Sequence, residues 1–409
     1  MAIKYLRTSN IKNKTVLVRA SVDEPVDEKT GKVADDFRIQ SALASVELLL
    51  KNNNKVIVCG KLGRPEGIRQ KACSLKPAAE RMADLLKLKF VETNYKLPTG
   101  GDRHLIFYTG NIEEQKHRDQ IGKSAVSDVL FLENLEFYKT ELSNNALFGK
   151  HLASLADAYV NDDFAKCHHV VASIGAITKY LPSYAGLVLE REIQLLGQVL
   201  ERPKSPFVVM MGGIKISDKA KTLQTLGKKA DTILLAGGLA NLFFLSRGYE
   251  IGLSKAETES RDLAWHMDKN FKGKLVLPTD VVVANKDLDK KSIRVCSTHE
   301  VGRNELILDV GPKTILQFSN ILKKANTIVW NGPLGHFECK PFHTGTMALA
   351  RVVGGRSRGR AFAVVGGGET VDAVRLAGQA EHIDHLSTGG GAMLEFLAGN
   401  KLSGIEALA

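Results

Sequence analysis

The sequence predicts an α/β protein made of two doubly wound parallel sheets, and three observations predict it. Short runs of apolar, often β-branched residues recur, each is followed by a small or polar turn and a helix-like stretch, and they fall in similar numbers on either side of one amphipathic segment. In the first half the runs are Val16–Val18, Val56–Val58, Val129–Leu132 and Ala158–Val160. In the second they are Phe207–Met210, Thr232–Leu235, Leu275–Leu277, Thr327–Trp330 and Ala361–Val365. Continuous rather than alternating apolar character is what a strand covered on both faces needs. Between the halves, a break near Lys179–Ser183 leads into a segment in which Leu189, Ile193, Leu196 and Leu200 share one helical face. It reads as a helix joining two lobes, and two sheets so joined would leave a cleft, a usual place for a ligand.

Length and composition narrow the class. The chain has 409 residues, 44% hydrophobic and 25% charged, and lacks an apolar run of membrane-spanning length. Disordered, collagenous and integral membrane classes are excluded. The start, Met1–Arg7, carries no secretory pattern, so the expected address is the cytoplasm. Five scattered cysteines, Cys59, Cys73, Cys167, Cys296 and Cys339, contain no C-x-x-C and read as reduced, mostly buried thiols. Lys plus Arg exceed Asp plus Glu by 56 − 45 = 11, which favours an anionic partner. With only 6% aromatics and dispersed charge, phosphorylated small molecules fit better than nucleic acid, and no nucleic-acid or membrane partner is expected.

The candidate chemistry begins with glycine clusters directly after predicted strands: Gly212-Gly213, Gly237-Gly238, Gly366-Gly367-Gly368 and Gly389-Gly390-Gly391. After a parallel strand, glycine lets the backbone approach a phosphate and leaves helix N-terminal amides pointing at it. Four clusters in one half indicate a nucleotide lobe, although neither the P-loop nor the dinucleotide fingerprint is present. Lys215 and Lys219 follow the first cluster four apart, on one face if that stretch is helical, and two ammonium groups there suit a transferring phosphoryl group. Glu369, followed by Thr370, could hold Mg2+ while bound phosphates supply other oxygens.

These and other segments together resemble the phosphoglycerate kinase family. They are V-L-V-R (16–19), D-D-F-R-I (35–39), L-G-R-P (62–65), E-N-L-x-F (133–137) and Y-V-N-D (159–162). G-G-I-K-I-S-D-K (212–219), D-V-G-P-K-T (309–314), W-N-G-P-L-G-H-F-E (330–338), G-G-G-E-T (366–370) and S-T-G-G-G-A (387–392) continue the series in the family's order over nearly the whole chain. The resemblance implies two Rossmann-like doubly wound lobes joined by a helix and hinge. They would be an acceptor lobe for 3-phosphoglycerate over 1–182, an interdomain helix over 183–201 and a lobe for ADP or ATP over 202–391, with 392–409 packing back on the first lobe. It implies a monomeric glycolytic kinase, MgADP/MgATP as co-substrate, and hinge closure around 181–200.

The resemblance also implies site residues. Arg38, Lys215, Lys219, Gly367 and Gly368 would surround the migrating phosphoryl group. Gly213, Gly237, Gly238 and Gly311 would line the nucleotide pocket, Glu338 would take the ribose hydroxyls, and Gly366–Thr370 would cradle phosphates. Glu369 stands where the family usually has Asp, so the carboxylate is kept on a stem one methylene longer and a bound metal would sit differently.

The acceptor half departs further. V-R-x-D-x-N-x-P reads here with Ser21 and Asp23 in place of Asp and Asn; the His of H-L-G-R-P is Lys61, the Arg of E-N-L-R-F is Glu136, and another substrate arginine is His169. Arg38 and Arg64 remain. Arg38, Lys61, Arg64 and Lys166 against Asp23 and Glu136 leave 4 − 2 = +2, so attraction for a phosphate survives while the planar arginine fork is lost at two places. Glu136 would repel phosphate unless paired with Lys61 or Lys166. His168 and His169, adjacent in sequence, are expected to diverge and to serve packing or anion contact rather than a metal. The leading expectation is phosphoglycerate kinase, and the alternatives are a diverged kinase for another phosphorylated carboxylic acid or a non-catalytic nucleotide-binding protein.

Overall fold

The computed structural model describes residues 3–98 and 102–409. The chain forms two compact units, one of Met1–Gln194 with Lys401–Ala409, the other of Leu195–Asn400.

The first unit is built on seven strands: β1 Thr15–Ala20, β2 Lys55–Cys59, β3 Lys89–Thr93, β4 His104–Tyr108, β5 Val129–Leu132, β6 Ala158–Asp162 and β7 Ser183–Ala185. They are all parallel, in the order β3-β4-β5-β2-β1-β6-β7. Strands β2, β4, β5 and β6 are buried at every residue, which is why their middles run apolar without alternation, with the polar Lys55, His104, Asn161 and Asp162 confined to their ends. The helix Phe37–Lys51 presents Ile39, Ala42, Val46 and Leu49 to this core, a spacing that keeps one face of a helix apolar. From β1 the chain passes to β2 on one side and later returns through β6 on the other. The carboxyl ends of β1 and β6 therefore flank the point where the winding reverses, the usual ligand position in such sheets.

The second unit repeats the plan. Strands β8 Phe207–Met211, β9 Thr232–Leu235 and β10 Leu275–Val276 join β14 Thr327–Asn331, β15 Phe362–Gly366 and β16 His385–Leu386. They form a parallel sheet in the order β10-β9-β8-β14-β15-β16, with the reversal between β8 and β14. The intervening β11 Asp280–Asn285, β12 Arg294–Ser297 and β13 Glu305–Val310 make a separate antiparallel sheet, which the doubly wound expectation did not include.

The expected joining helix is Leu187–Glu201, and the division between the units falls inside it. Leu189, Glu190, Glu192, Leu196 and Val199 are buried, whereas Ile193 and Leu200 are only half-buried, so the covered surface differs from the face the apolar spacing indicates. Residues 401–409 lie against β6 and its following turn: the Gly404 amide donates to the Cys167 carbonyl at 2.8 Å, and the Asn161 side chain donates to the Gly404 carbonyl at 3.3 Å. Gly404 has no room for a side chain, since a Cβ would stand 2.8 Å from the Cys167 Cα. All five cysteines are free thiols; Cys59, Cys167 and Cys296 are buried.

Candidate active site

In the second unit the turns after four parallel strands interlock at the reversal point. Behind β8, the Gly212 amide donates to the Asn331 carbonyl and the Gly213 amide to the Pro333 carbonyl, both at 3.0 Å, which ties the first glycine pair to the turn after β14. A Cβ on Gly212 would run into the Pro333 carbonyl, so two backbones meet where a side chain has no space. Gly213, at φ 84°, accepts from the Leu239 amide at 2.8 Å, which fixes the start of the helix Gly237–Ser246 behind β9. Gly238 packs on Ile214. On the other side, the Gly332 amide donates to the Thr370 hydroxyl at 2.7 Å and the Asn331 side chain to the Gly366 carbonyl at 3.0 Å. Gly367, at φ 91°, precedes the helix Gly368–Leu376.

Neither this helix nor Gly237–Ser246 is capped by a side chain, so first-turn amides other than those of Leu239 and Thr370 are left for an anion. Lys219 belongs to the same constellation: a Cβ on Gly213 would lie 3.5 Å from its Nζ. Burial pushes the Lys219 ammonium below its ordinary value, while Asp218, Glu369 and Glu257 oppose that shift.

The stretch from Lys215 to Lys219 is not helical, contrary to the helical-face expectation; the helix begins only at Ala220. The reason is Glu257, whose carboxylate accepts from the Ile216 amide at 2.7 Å, the Ser217 amide at 2.9 Å and the Ser217 hydroxyl at 2.6 Å, holding the segment as a turn. Lys215 is exposed. Gly311 and Glu338 lie around β13, against which the helix Gly237–Ser246 packs. Gly311 donates to the Asp280 carbonyl at 2.9 Å at the start of the helix Pro312–Leu322, and His336, two residues before the exposed Glu338, donates to the Leu308 carbonyl at 2.7 Å.

In the first unit, the ends of β1, β2, β5 and β6 carry paired charges. The Asp23 carboxylate pairs with Lys61 and accepts from the Gly63 amide at 3.2 Å, while the Asp23 carbonyl accepts from the Arg38 guanidinium. Lys166 donates to Glu136 at 2.5 Å, and both side chains are largely buried. Glu136 is presented by a short turn whose N-cap, Asn134, accepts from its amide at 2.9 Å. Ser21 is buried and Arg64 exposed.

The rings of His168 and His169 do not diverge as adjacency indicated; their centroids are 4.0 Å apart. Burial, reinforced by His168 and Lys166, pushes the His169 imidazole down to about 4. Arg19, from the V-L-V-R segment, points to no ligand: it is fully buried, donates to Asp163 at 2.7 Å and to the Ser173 hydroxyl at 3.1 Å, and ties β1 to the turn after β6. Burial opposes its charge, but Asp163 and the other acidic neighbours more than offset this and raise it further.

Sequence reasoning did not single out Asn331, Gly332, Pro333 or Glu257. The first three sit in the W-N-G-P run, so a signal existed; Glu257 stands in a polar loop without one.

A model of the phosphoglycerate kinase family matches residues 6–400. The chain is 40% identical over 413 residues to phosphoglycerate kinase of Koribacter versatilis, covering 100% of this chain and 98% of that one. It is 36% identical over 411 residues to phosphoglycerate kinase of Pelotomaculum thermopropionicum, covering 100% and 99%. Among solved structures, phosphoglycerate kinase from Coxiella burnetii superposes with a TM-score of 0.80 at 33% identity, covering 100% of this chain and 99% of that one. The enzyme from Pyrococcus horikoshii does so with 0.84 at 26%, covering 99% and 98%.

Proposed function

The chain belongs to the phosphoglycerate kinase family, and from that premise we propose that it catalyses reversible phosphoryl transfer between 1,3-bisphosphoglycerate and MgADP, giving 3-phosphoglycerate and MgATP. The observation that carries the reading is the interlocked glycine turns behind β8, β9, β14 and β15, with Lys219 beside Gly213. They form a backbone surface suited to nucleotide phosphates.

The acceptor carboxylate and the nucleotide phosphate are competent nucleophiles, so no protein nucleophile is needed. Catalysis reduces to positioning, exclusion of water and stabilisation of charge on the migrating group. Lys215 and Lys219 supply positive charge on the nucleotide side, and Gly367 and Gly368 bring uncapped amides. Gly237, Gly238 and Gly311 line the pocket, and Glu338 takes the ribose. On the acceptor side Arg38 faces the transferred group, and Ser21, Asp23, Lys61, Arg64, Glu136 and His169 line the remainder. The helix Leu187–Glu201 serves as hinge between an acceptor lobe over 1–182 and a nucleotide lobe over 202–391.

Among the described residues no three His, Cys, Asp or Glu side chains gather to hold a metal unaided. A single exposed carboxylate, Glu369, at an uncapped helix start fits magnesium that arrives on nucleotide phosphates, because Mg2+ takes one or two carboxylates and keeps its other oxygens. Bound there, the ion would neutralise phosphate charge. No helix of the described residues is long and apolar enough to cross a membrane; a cytoplasmic address and a monomeric state complete the proposal.

The test is 3-phosphoglycerate-dependent ATP consumption with Mg2+, coupled to reduction of the acyl phosphate. Saturable turnover is expected. Intact MgATP binding without turnover would overturn the reading.

A further inference from the structure

Glu24 has no place among the residues above, yet it contacts the one on which transfer is expected to depend most. It follows Asp23 in the turn after β1 and is only 5% exposed. Its Oε1 accepts from the Arg38 amide at 2.5 Å, in the first turn of the helix Phe37–Lys51. First-turn amides have no intrahelical partner. The helix's own N-cap residue, Asp36, supplies none, since its carboxylate is engaged by Gln40 and Arg81. A buried carboxyl from outside the helix takes over that role.

Consecutive residues thus grip Arg38 at both ends. Glu24 holds its main chain, and the Asp23 carbonyl holds its guanidinium. The grip is itself anchored, because the Asp23 carboxylate is engaged by Lys61 and the Gly63 amide behind β2. A guanidinium on a long side chain gains catalytic value only if its direction is set in advance.

We propose that Glu24, together with the Asp23 carbonyl, is the positioning residue that sets the orientation of Arg38 for phosphoryl transfer; this rests on the reading of Arg38 given above. The groups facing the Glu24 carboxyl are the Arg38 amide and charge and the Ile39 amide on the helix, and Asp35 in the segment before it. Burial pushes this carboxyl up to about 7, against the pull of Arg38. Its charge state therefore changes within the working range of pH.

The experiment compares kcat and KM for 3-phosphoglycerate, at saturating MgATP and across pH, in the full-length wild type, E24A and E24Q. E24A is expected to lower kcat about tenfold or more with little change in KM. E24Q keeps a carbonyl acceptor for the Arg38 amide, so it is expected to restore most of kcat while removing an inflection near pH 7 from the wild-type profile. A kcat for E24A within about twofold of wild type, or an equal loss in E24Q, would overturn the proposal. Should E24A fail to fold, E24Q carries the test alone: an unchanged pH profile overturns it. R38A is the separate control, since full turnover in that variant would overturn the reading of Arg38 whatever Glu24 does.

Discussion

The proposed nucleotide-side and acceptor-side surfaces are built from different material. Behind β8, β9, β14 and β15 the surface is backbone: glycines at positive φ, amides donated between turns, and helix starts that no side chain caps. Behind β1, β2, β5 and β6 it is side chain: Asp23 against Lys61, Glu136 against Lys166, and Arg38 held by its neighbours. A backbone surface is constrained by steric exclusion, which admits almost no substitution. A surface of paired charges can change its residues two at a time, because an acid and a base introduced together cancel. This would account for the resemblance being carried more fully by the proposed nucleotide segments than by the proposed acceptor segments.

The sharpest way to break this contrast is G212A. Its Cβ would collide with the Pro333 carbonyl, a backbone atom that cannot swing aside. The expected result is a loss of MgADP affinity of about a hundredfold with about 1–3 kcal/mol of lost stability; fluorescence titration and urea unfolding measure both. An alanine bound as tightly as wild type would show that the turns are not held by exclusion.

On the acceptor side, K166M leaves a buried Glu136 carboxylate without its cation and should cost about 3–5 kcal/mol in urea unfolding. E136Q does the reverse. It releases Lys166 towards the acceptor and should lower KM for 3-phosphoglycerate by about one decade. If K166M and E136Q were equally silent, the pair would not be the compensated unit described here.

Two further buried carboxyls make stability depend on pH. Burial pushes Glu24 and Asp309 each up to about 7, from unfolded values near 4. Each therefore contributes stability that is fully present below its unfolded value and lost as pH rises through about 7, about 4 kcal/mol at most for Glu24. Urea midpoints should fall from pH 5 to 8, and E24Q should flatten part of that slope. The smallest effect concerns His169. Its imidazole is neutral until about 4, so it contributes stability present above its unfolded value and lost as pH falls through about 4. KM should carry no His169 inflection between about pH 5 and 8, so H169N should leave its pH dependence unchanged; an inflection there that vanishes in H169N would show a protonated ring in the acceptor site.

Much of the scaffold was legible. Strands β1, β2, β5, β6, β8, β9, β14 and β15 lie in the middle of their sheets, where most residues are apolar, and such runs stand out in a sequence; β4 is buried in the same way but was not read from the sequence. Edge strand β3 is half-exposed, β7 and β16 are three and two residues long, and β12 is exposed at its first two positions, so none advertises itself in the same way. The glycine positions were legible as well, because glycine after a strand has few other reasons to recur.

The sequence by itself determined the α/β class, the two-lobed plan, the glycine turns and the excess of positive charge, since each follows from local periodicity, local backbone freedom or simple counting. Tertiary structure decided the partners. Asp23 and Lys61 meet because β1 and β2 are neighbours, whereas Glu136 and Lys166 meet although β5 and β6 are separated by β2 and β1. Arg19 turned out to tie strands together, and a carboxyl from Glu24 caps a helix that starts thirteen residues later. An ion pair or a long-range cap is a statement about which loops share one edge of a sheet. That depends on strand order, which no stretch of residues encodes locally.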